Sequence, residues 1–232
     1  MTFSLTTQSE EETRALGERL GALLLGGAVV LLDGSLGSGK TRFAQGVAKG
    51  LGVSAFITSP TFNLVLEYPL SRPEEDSSCR VCSDLSDFEK SESGCFFETG
   101  CLPAAKQSSS EESKSSSERK SLKSLQTRQE LSILCQPTLL RHFDLYRLER
   151  PEQLDDLDYF GLIEEYDAVS LVEWGSKFTT FLPLDYILVG IALDEDDPDK
   201  RRIEFSAEGA LSQGLLEQFT LAEGLERMQP SD

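Results

Sequence analysis

One stretch of eight residues limits what this chain can fold into. Gly34-Ser35-Leu36-Gly37-Ser38-Gly39-Lys40-Thr41 fits the phosphate-binding pattern G-x-x-x-x-G-K-[ST] at every fixed position. The flanks are those the pattern needs. Ala28-Val29-Val30-Leu31-Leu32 before it is a short, partly β-branched apolar run and reads as a buried strand. Thr41 to Leu51 after it carries Phe43, Val47 and Leu51 at helical spacing, with Gly52 as a stop.

The residue types follow from the chemistry of phosphate binding. Glycines let successive backbone N–H groups turn toward an anion with no Cβ in the way. The new helix aims its positive end at the same point. In such a loop Lys40 reaches the β- and γ-phosphates, and the Thr41 hydroxyl sits on Mg²⁺. Gly34, Ser35, Leu36, Gly37, Ser38, Gly39, Lys40 and Thr41 are therefore the nucleotide-binding candidates, with ATP and Mg²⁺ as the expected ligand and cofactor. No N-K-x-D or T-K-x-D tetrapeptide supports guanine.

Charge and hydropathy narrow the function. The chain has 22 Lys+Arg against 40 Asp+Glu, a formal net charge of -18. That argues against a broad nucleic-acid footprint of its own, though not against a partner that holds nucleic acid. The longest apolar stretch, Gly21 to Leu32, is too short to span a bilayer. No secretion signal stands at the N-terminus. The expectation is a cytoplasmic protein with no membrane contact, whose five cysteines, all between Cys79 and Cys135, are reduced.

The expected fold class is α/β, with a mixed β-sheet flanked by helices in one domain over 1–232. Thr2 to Leu5 reads as an edge strand. Ser9-Glu10-Glu11-Glu12 has the form of a capping box, opening a helix to about Leu25. Leu64 to Leu66 and Leu139 to Leu148 read as strands. Between them, Ser71 to Gln136 is rich in Ser, Glu and Lys, with serine triplets at 108–110 and 115–117. It cannot bury enough apolar surface to offset its ordering entropy, so it reads as a disordered insertion at a hairpin tip. Pro151 begins a short helix, and Leu157 to Tyr166 is helical or irregular. Val169 to Trp174, Leu184 to Leu193 and Arg202 to Phe205 are strands, the last two paired around an acidic turn. Leu211 to Met228 is the closing helix.

A phosphate loop needs an acid for the metal and a group that places the attacking water. Glu173 ends an apolar strand, where the metal-associated acid of an open sheet belongs; the alternative is a solvated carboxylate. Asp144 lies in an aromatic strand on the face opposite Phe143 and Leu145, and needs a partner or a metal there. Thr61 follows Pro60 in a loop of the kind that senses a γ-phosphate. Arg147 could stabilise developing charge but reads more simply as a surface ion pair. His142, the single histidine, reads as structural, and Trp174 as either core or a platform by the nucleotide. Cys79-x-x-Cys82 lacks a matching second pair, so a zinc site is not expected.

The ordered set of Gly34 to Thr41, Ser59-Pro60-Thr61-Phe62, His142-Phe143-Asp144-Leu145-Tyr146-Arg147 and Val172-Glu173-Trp174-Gly175 resembles the TsaE family, also called YjeE. Leu182-Pro183 also falls in the family's usual place. The resemblance covers Met1 to about Leu70 and about Pro137 to Phe205. It implies a small P-loop ATPase with a mixed sheet, required for making N6-threonylcarbamoyladenosine in tRNA. It implies TsaD- and TsaB-type partners that carry out the transfer and hold the tRNA. By motif, Lys40 and Thr41 would bind phosphate and Mg²⁺, Thr61 would belong to a switch-like loop, and Asp144 would serve hydrolysis. Glu173 would lie at the metal and Trp174 near the nucleotide. Ser176-Lys177 departs from the family, which commonly has an acidic residue soon after the Glu-Trp pair. From the residues alone, a P-loop kinase of a small molecule or a nucleotide-dependent scaffold stays open. Outside the insertion adjacent basic residues occur only around the pair Arg201-Arg202, which follows Lys200, thin material for a kinase lid.

The insertion yields the first prediction. Deleting residues 75–132 should shift the thermal midpoint by less than about 2 °C, as expected when no packed element is removed. A large fall in calorimetry would show that the segment packs.

Overall fold

The computed structural model describes residues 2–60, 63–70 and 136–224. The elements are β1 (Thr2–Thr7), α1 (Glu10–Gly21), β2 (Val29–Asp33), α2 (Lys40–Gly50), β3 (Val65–Pro69), β4 (Leu139–Asp144), α3 (Glu152–Asp156), α4 (Tyr159–Ile163), β5 (Ala168–Glu173), β6 (Tyr186–Leu193), β7 (Arg201–Glu208) and α5 (Ala210–Ala222). A run of 3-10 turns, Gly175–Phe181, links β5 to β6 and is broken at Phe178. The seven strands form one mixed sheet in the order β1-β7-β6-β2-β5-β4-β3. Strand β2 is parallel to both neighbours, β5 and β6, and β4 is parallel to β5. The β3–β4, β6–β7 and β1–β7 pairs are antiparallel.

This is the expected α/β class, with hydrophobic clusters on both sheet faces. One joins Leu16 and Leu20 of α1, Phe43 and Val47 of α2, and Leu216 and Phe219 of α5 to Val30, Leu32 and Phe205. The other sets Leu154, Tyr159 and Ile163 from α3 and α4 against Leu31, Phe143 and Val172. Residues of β2 alternate between the two clusters, so Val29 to Leu32 are buried on both faces. Among the described residues no helix is long and apolar enough to cross a membrane.

Several boundaries differ from the sequence reading. Helix α1 stops at Gly21 rather than near Leu25, because Leu23 and Leu24 close short turns onto Leu20 and Gly21. Strand β4 ends at Asp144 rather than Leu148. The Tyr146 N–H donates to Asp144 Oδ1 at 3.0 Å, and this local bond draws the chain out of the sheet. Asp144 is thus the last residue of its strand, not its middle. Strand β7 runs beyond the expected Arg202–Phe205 at both ends because it pairs with β1 as well as β6. Helix α5 ends at Ala222, capped at its start by Asp185, which accepts from the N–H groups of Leu211 and Ser212. The hairpin reading holds for β3 and β4. The insertion between them, with its cysteines, lies outside the described residues.

Helices α1 and α2 touch backbone to backbone. A Cβ added to Gly17 would come 2.4 Å from Phe43 O, and one on Gly21 2.2 Å from Val47 O. From the other side, a Cβ on Gly46 would meet Arg14 O at 2.0 Å, and one on Gly50 would meet Glu18 O at 2.1 Å. On each helix two glycines four residues apart face the backbone of the other helix, so nothing larger fits. This clamp holds α2, whose first turn continues the phosphate loop.

Gly46→Ala should therefore destabilise the protein by about 2 kcal/mol, although alanine is the better helix former. Gly214→Ala, in α5 where an added Cβ meets nothing within 4 Å, should stabilise it by about 0.5–1 kcal/mol. Urea unfolding of the two variants checks the opposite signs.

Candidate functional site

The site forms where β2 ends between two parallel strands. Asp33 closes β2, Gly34 to Gly39 make the turn, and Lys40 opens α2. The glycines meet separate demands. Gly34 has φ +142°, and a Cβ there would strike Ile191 O at 2.2 Å. Gly37 has open space around it, so φ +80° alone selects glycine. Gly39, at φ +111°, is the N-cap of α2, which has no side-chain cap and no acid in its first turn. Leu36 is 80% exposed at the tip of the turn. The Ser38 hydroxyl is buried and has no partner among the described residues.

The Lys40 ammonium folds back over the loop. It donates to Gly34 O at 2.8 Å and Ser35 O at 2.9 Å, and lies 4.3 Å from the centre of the Trp174 ring. Burial holds its pKa below the ordinary lysine value, opposed by the charges of Glu173, Asp144 and Asp33. These three acids close in from the strand ends of β5, β4 and β2. Leu32 pairs with Glu173 and Asp144 pairs with Glu173, so parallel register brings all three strand ends to one level.

Glu173 is buried and held from two sides. His142 Nε2 lies 3.0 Å from Glu173 Oε1, and the Thr41 hydroxyl donates to the same oxygen at 3.4 Å. A carboxylate oxygen accepts, so Nε2–H is the donor when Glu173 is a carboxylate. Nδ1 has no partner among the described residues. Asp144 accepts from the Ser59 hydroxyl at 2.9 Å on Oδ2 and from the Tyr146 N–H on Oδ1. Trp174 leaves the strand at φ +64° and packs against Tyr146, ring centres 5.2 Å apart. Asp33 accepts from Ser176 Oγ at 2.7 Å.

Most candidates from the sequence come together here: the loop from Gly34 to Thr41, Asp144, Glu173 and Trp174. The solvated alternative for Glu173 is overturned by its burial. Thr61 lies outside the described residues, next to Ser59 and Pro60, which the structure places by Asp144. Arg147 is exposed. Sequence reasoning assigned His142 no role in the site. Its contact with Glu173 depends on how β4 is laid beside β5, which local pattern does not carry. Ser176 and Asp33 were missed as a pair for the same reason.

The donor set fits a magnesium nucleotide. Among the described residues there is no group of three or more His, Cys, Asp or Glu able to hold a metal alone. A P-loop metal needs fewer protein ligands, one hydroxyl and one acid, because phosphates fill other positions. Thr41 and Glu173 are such a pair. The unpartnered Ser38 hydroxyl and the uncapped start of α2 are suited to phosphate oxygens.

Comparison with known proteins agrees with the motifs. A family profile described as "Threonylcarbamoyl adenosine biosynthesis protein TsaE" matches residues 7–79 and 128–203. The tRNA threonylcarbamoyladenosine biosynthesis protein TsaE of Haemophilus influenzae is 26% identical over 195 residues, 83% of this chain and 78% of that protein. The Nostoc sp. protein of the same name is 49% identical over 63 residues, 27% of this chain. The Bacillus subtilis one is 44% identical over 62 residues, also 27% of this chain. Each of these two shorter matches spans 39% of the relative's own length. The crystal structure of Bacillus subtilis YdiB aligns over 96% of this chain and 97% of its own, with TM-score 0.53 and 24% identity, and so shares the fold. With its profile matched on both sides of the insertion and over more than half of the residues, the chain belongs to the TsaE family.

Proposed function

We propose that this chain is the ATP-binding and ATP-hydrolysing component of the machinery that makes threonylcarbamoyladenosine in tRNA, acting with TsaD- and TsaB-type proteins. One observation carries the reading: Thr41, the last residue of the phosphate loop, faces a buried Glu173 at the end of the adjacent parallel strand. A chance glycine turn has no reason to meet a buried acid there.

Each residue has a distinct task in this reading. The N–H groups of the loop and of the first turn of α2 bind the phosphates. Lys40 exchanges the carbonyls of Gly34 and Ser35 for phosphate oxygens, so its buried charge is better compensated with ligand than without. Thr41 and Glu173 would hold Mg²⁺, whose charge offsets that of the phosphates. His142 fixes the rotamer of Glu173. Asp144, held in place by its two donors, accepts a hydrogen bond from the attacking water and orients it. Trp174 covers the Lys40 side chain. The chain does not itself perform the threonylcarbamoyl transfer.

A kinase-type arginine lid finds no support in the basic pair. Arg201 is buried and its Nη1 donates to Pro198 O.

The decisive measurement is ADP production by the purified chain, with and without its cognate TsaD- and TsaB-type proteins. Stimulation by the pair is expected, and turnover indifferent to it would defeat the reading. Lys40→Ala should abolish nucleotide binding and turnover with it, with circular dichroism unchanged. Glu173→Gln keeps the size and the contact with His142 but removes the charge. It should raise the Mg²⁺ concentration needed for half-maximal turnover, and an unchanged Mg²⁺ dependence would remove Glu173 from the metal.

A further inference from the structure

We propose that Lys177 is a positioning residue for the hydrolysis step, bracing the turn after β4 so that Tyr146 holds the Asp144 carboxylate in place. The inference rests on the ATPase reading above and adds a residue outside the phosphate loop and the three acids.

Two segments leave the sheet side by side. After β4 the chain turns through Leu145 to Leu148, closed by the Leu148 N–H on Leu145 O at 3.1 Å. After β5 it enters the 3-10 run Gly175–Phe181, in which Phe178 is buried in the cluster of α3 and α4. Lys177 joins the two. Its ammonium donates to Tyr146 O at 3.0 Å and to Leu148 O. The chain has 40 acidic residues against 22 basic ones, yet this charge is set on two carbonyls of a single turn. Bonds from a charged donor are the stronger kind. Lys177 is exposed and belongs to neither hydrophobic cluster, so the core does not depend on it.

What the turn carries gives the brace its meaning. The Tyr146 N–H donates to Asp144 Oδ1, and the Tyr146 ring packs on Trp174. Trp174 stands at φ +64°, a conformation that costs a residue with a Cβ and persists where neighbours impose it. Its N–H donates to Leu32 O at 3.0 Å, and its carbonyl accepts from the Lys177 N–H at 3.2 Å. Lys177 therefore holds Tyr146 through its side chain and Trp174 through its backbone. The residue before it, Ser176, bonds Asp33 at the end of β2. Strand β5 lies between β2 and β4, so two consecutive residues tie its extension to the neighbour on each side.

Without the ammonium, the turn loses its tie to the β5 side, and the Tyr146 N–H is no longer fixed against Asp144. Lys40 and the phosphate loop are held instead by β2 and α2. The loss therefore falls on turnover rather than on nucleotide affinity, as for a group that acts through the placement of another.

The test uses the full chain with Mg²⁺, its partner proteins and ATP, with ADP affinity read by calorimetry. Trp174 is the single tryptophan, so its emission reports on the brace directly. Lys177→Met should lower kcat about tenfold, leave the ADP dissociation constant within about threefold, and shift the Trp174 emission to the red. Lys177→Arg, which keeps a long cationic donor, should restore most of both signals. In an Asp144→Asn background, Lys177→Met should lower turnover no further, because both changes act on one group. Wild-type kcat in Lys177→Met, an equal fall in ADP affinity, or full additivity with Asp144→Asn would overturn the brace while leaving the ATPase reading intact. A wild-type chain that hydrolyses no ATP with its partners would defeat the ATPase reading, and unchanged Trp174 emission in Lys177→Met would separately defeat the brace.

Discussion

The backbone contact between α1 and α2 is the constraint on which the site depends. Gly17 and Gly21 on one helix, and Gly46 and Gly50 on the other, let the two backbones approach to a distance no side chain permits. The core cluster on that sheet face then includes Leu16, Leu20, Phe43 and Val47 around the contact. Because α2 starts at Lys40, fixing its body fixes the direction of its first turn. That turn supplies the free N–H groups and the partial positive charge of the phosphate site. A small displacement of α2 would move Lys40 and Thr41 away from the strand ends they face. The clamp thus sets where the first turn of α2 stands against the strand ends.

At the strand ends the second requirement is electrostatic. Lys40 sits among Glu173, Asp144 and Asp33, and its pKa shows burial winning over their attraction. Each acid is itself tied by a donor: Glu173 by His142 and Thr41, Asp144 by Ser59 and Tyr146, Asp33 by Ser176. Buried charges need such partners, since an uncompensated one is strongly destabilising. The donors also hold each carboxylate in one orientation, which is what a metal or water position requires. Ser176 is notable here. It places a hydroxyl on Asp33, so no further negative charge is added beside three existing ones.

Much of this was legible in the sequence because it is local. The phosphate loop declares itself by spacing, and β2 and β5 by apolar runs that end in Asp33 and Glu173. Parallel pairing then has to bring those ends together. What was not legible depends on register or on distant contacts. His142 reads as a lone structural histidine until β4 is laid beside β5, when it reaches a residue 31 positions away. Asp144 seemed to lie inside a strand because Leu145 and Tyr146 continue its apolar character, yet a single side-chain bond to the Tyr146 N–H ends the strand. The glycine pairs were visible as residues four apart. Their meaning appears only when two helices are shown to cross at those points.

The charge balance of the whole chain bears on how such a site can hold a nucleotide. At net charge -18 the long-range field repels a polyphosphate, so attraction must be local and short-ranged. The α2 N-terminus and the Lys40 ammonium are local in this sense, and burial keeps solvent from screening Lys40. Local cations surrounded by acids bind a compact anion with its own metal well and an extended polyanion poorly. A tRNA presents phosphates over tens of ångströms, which a net charge of -18 repels.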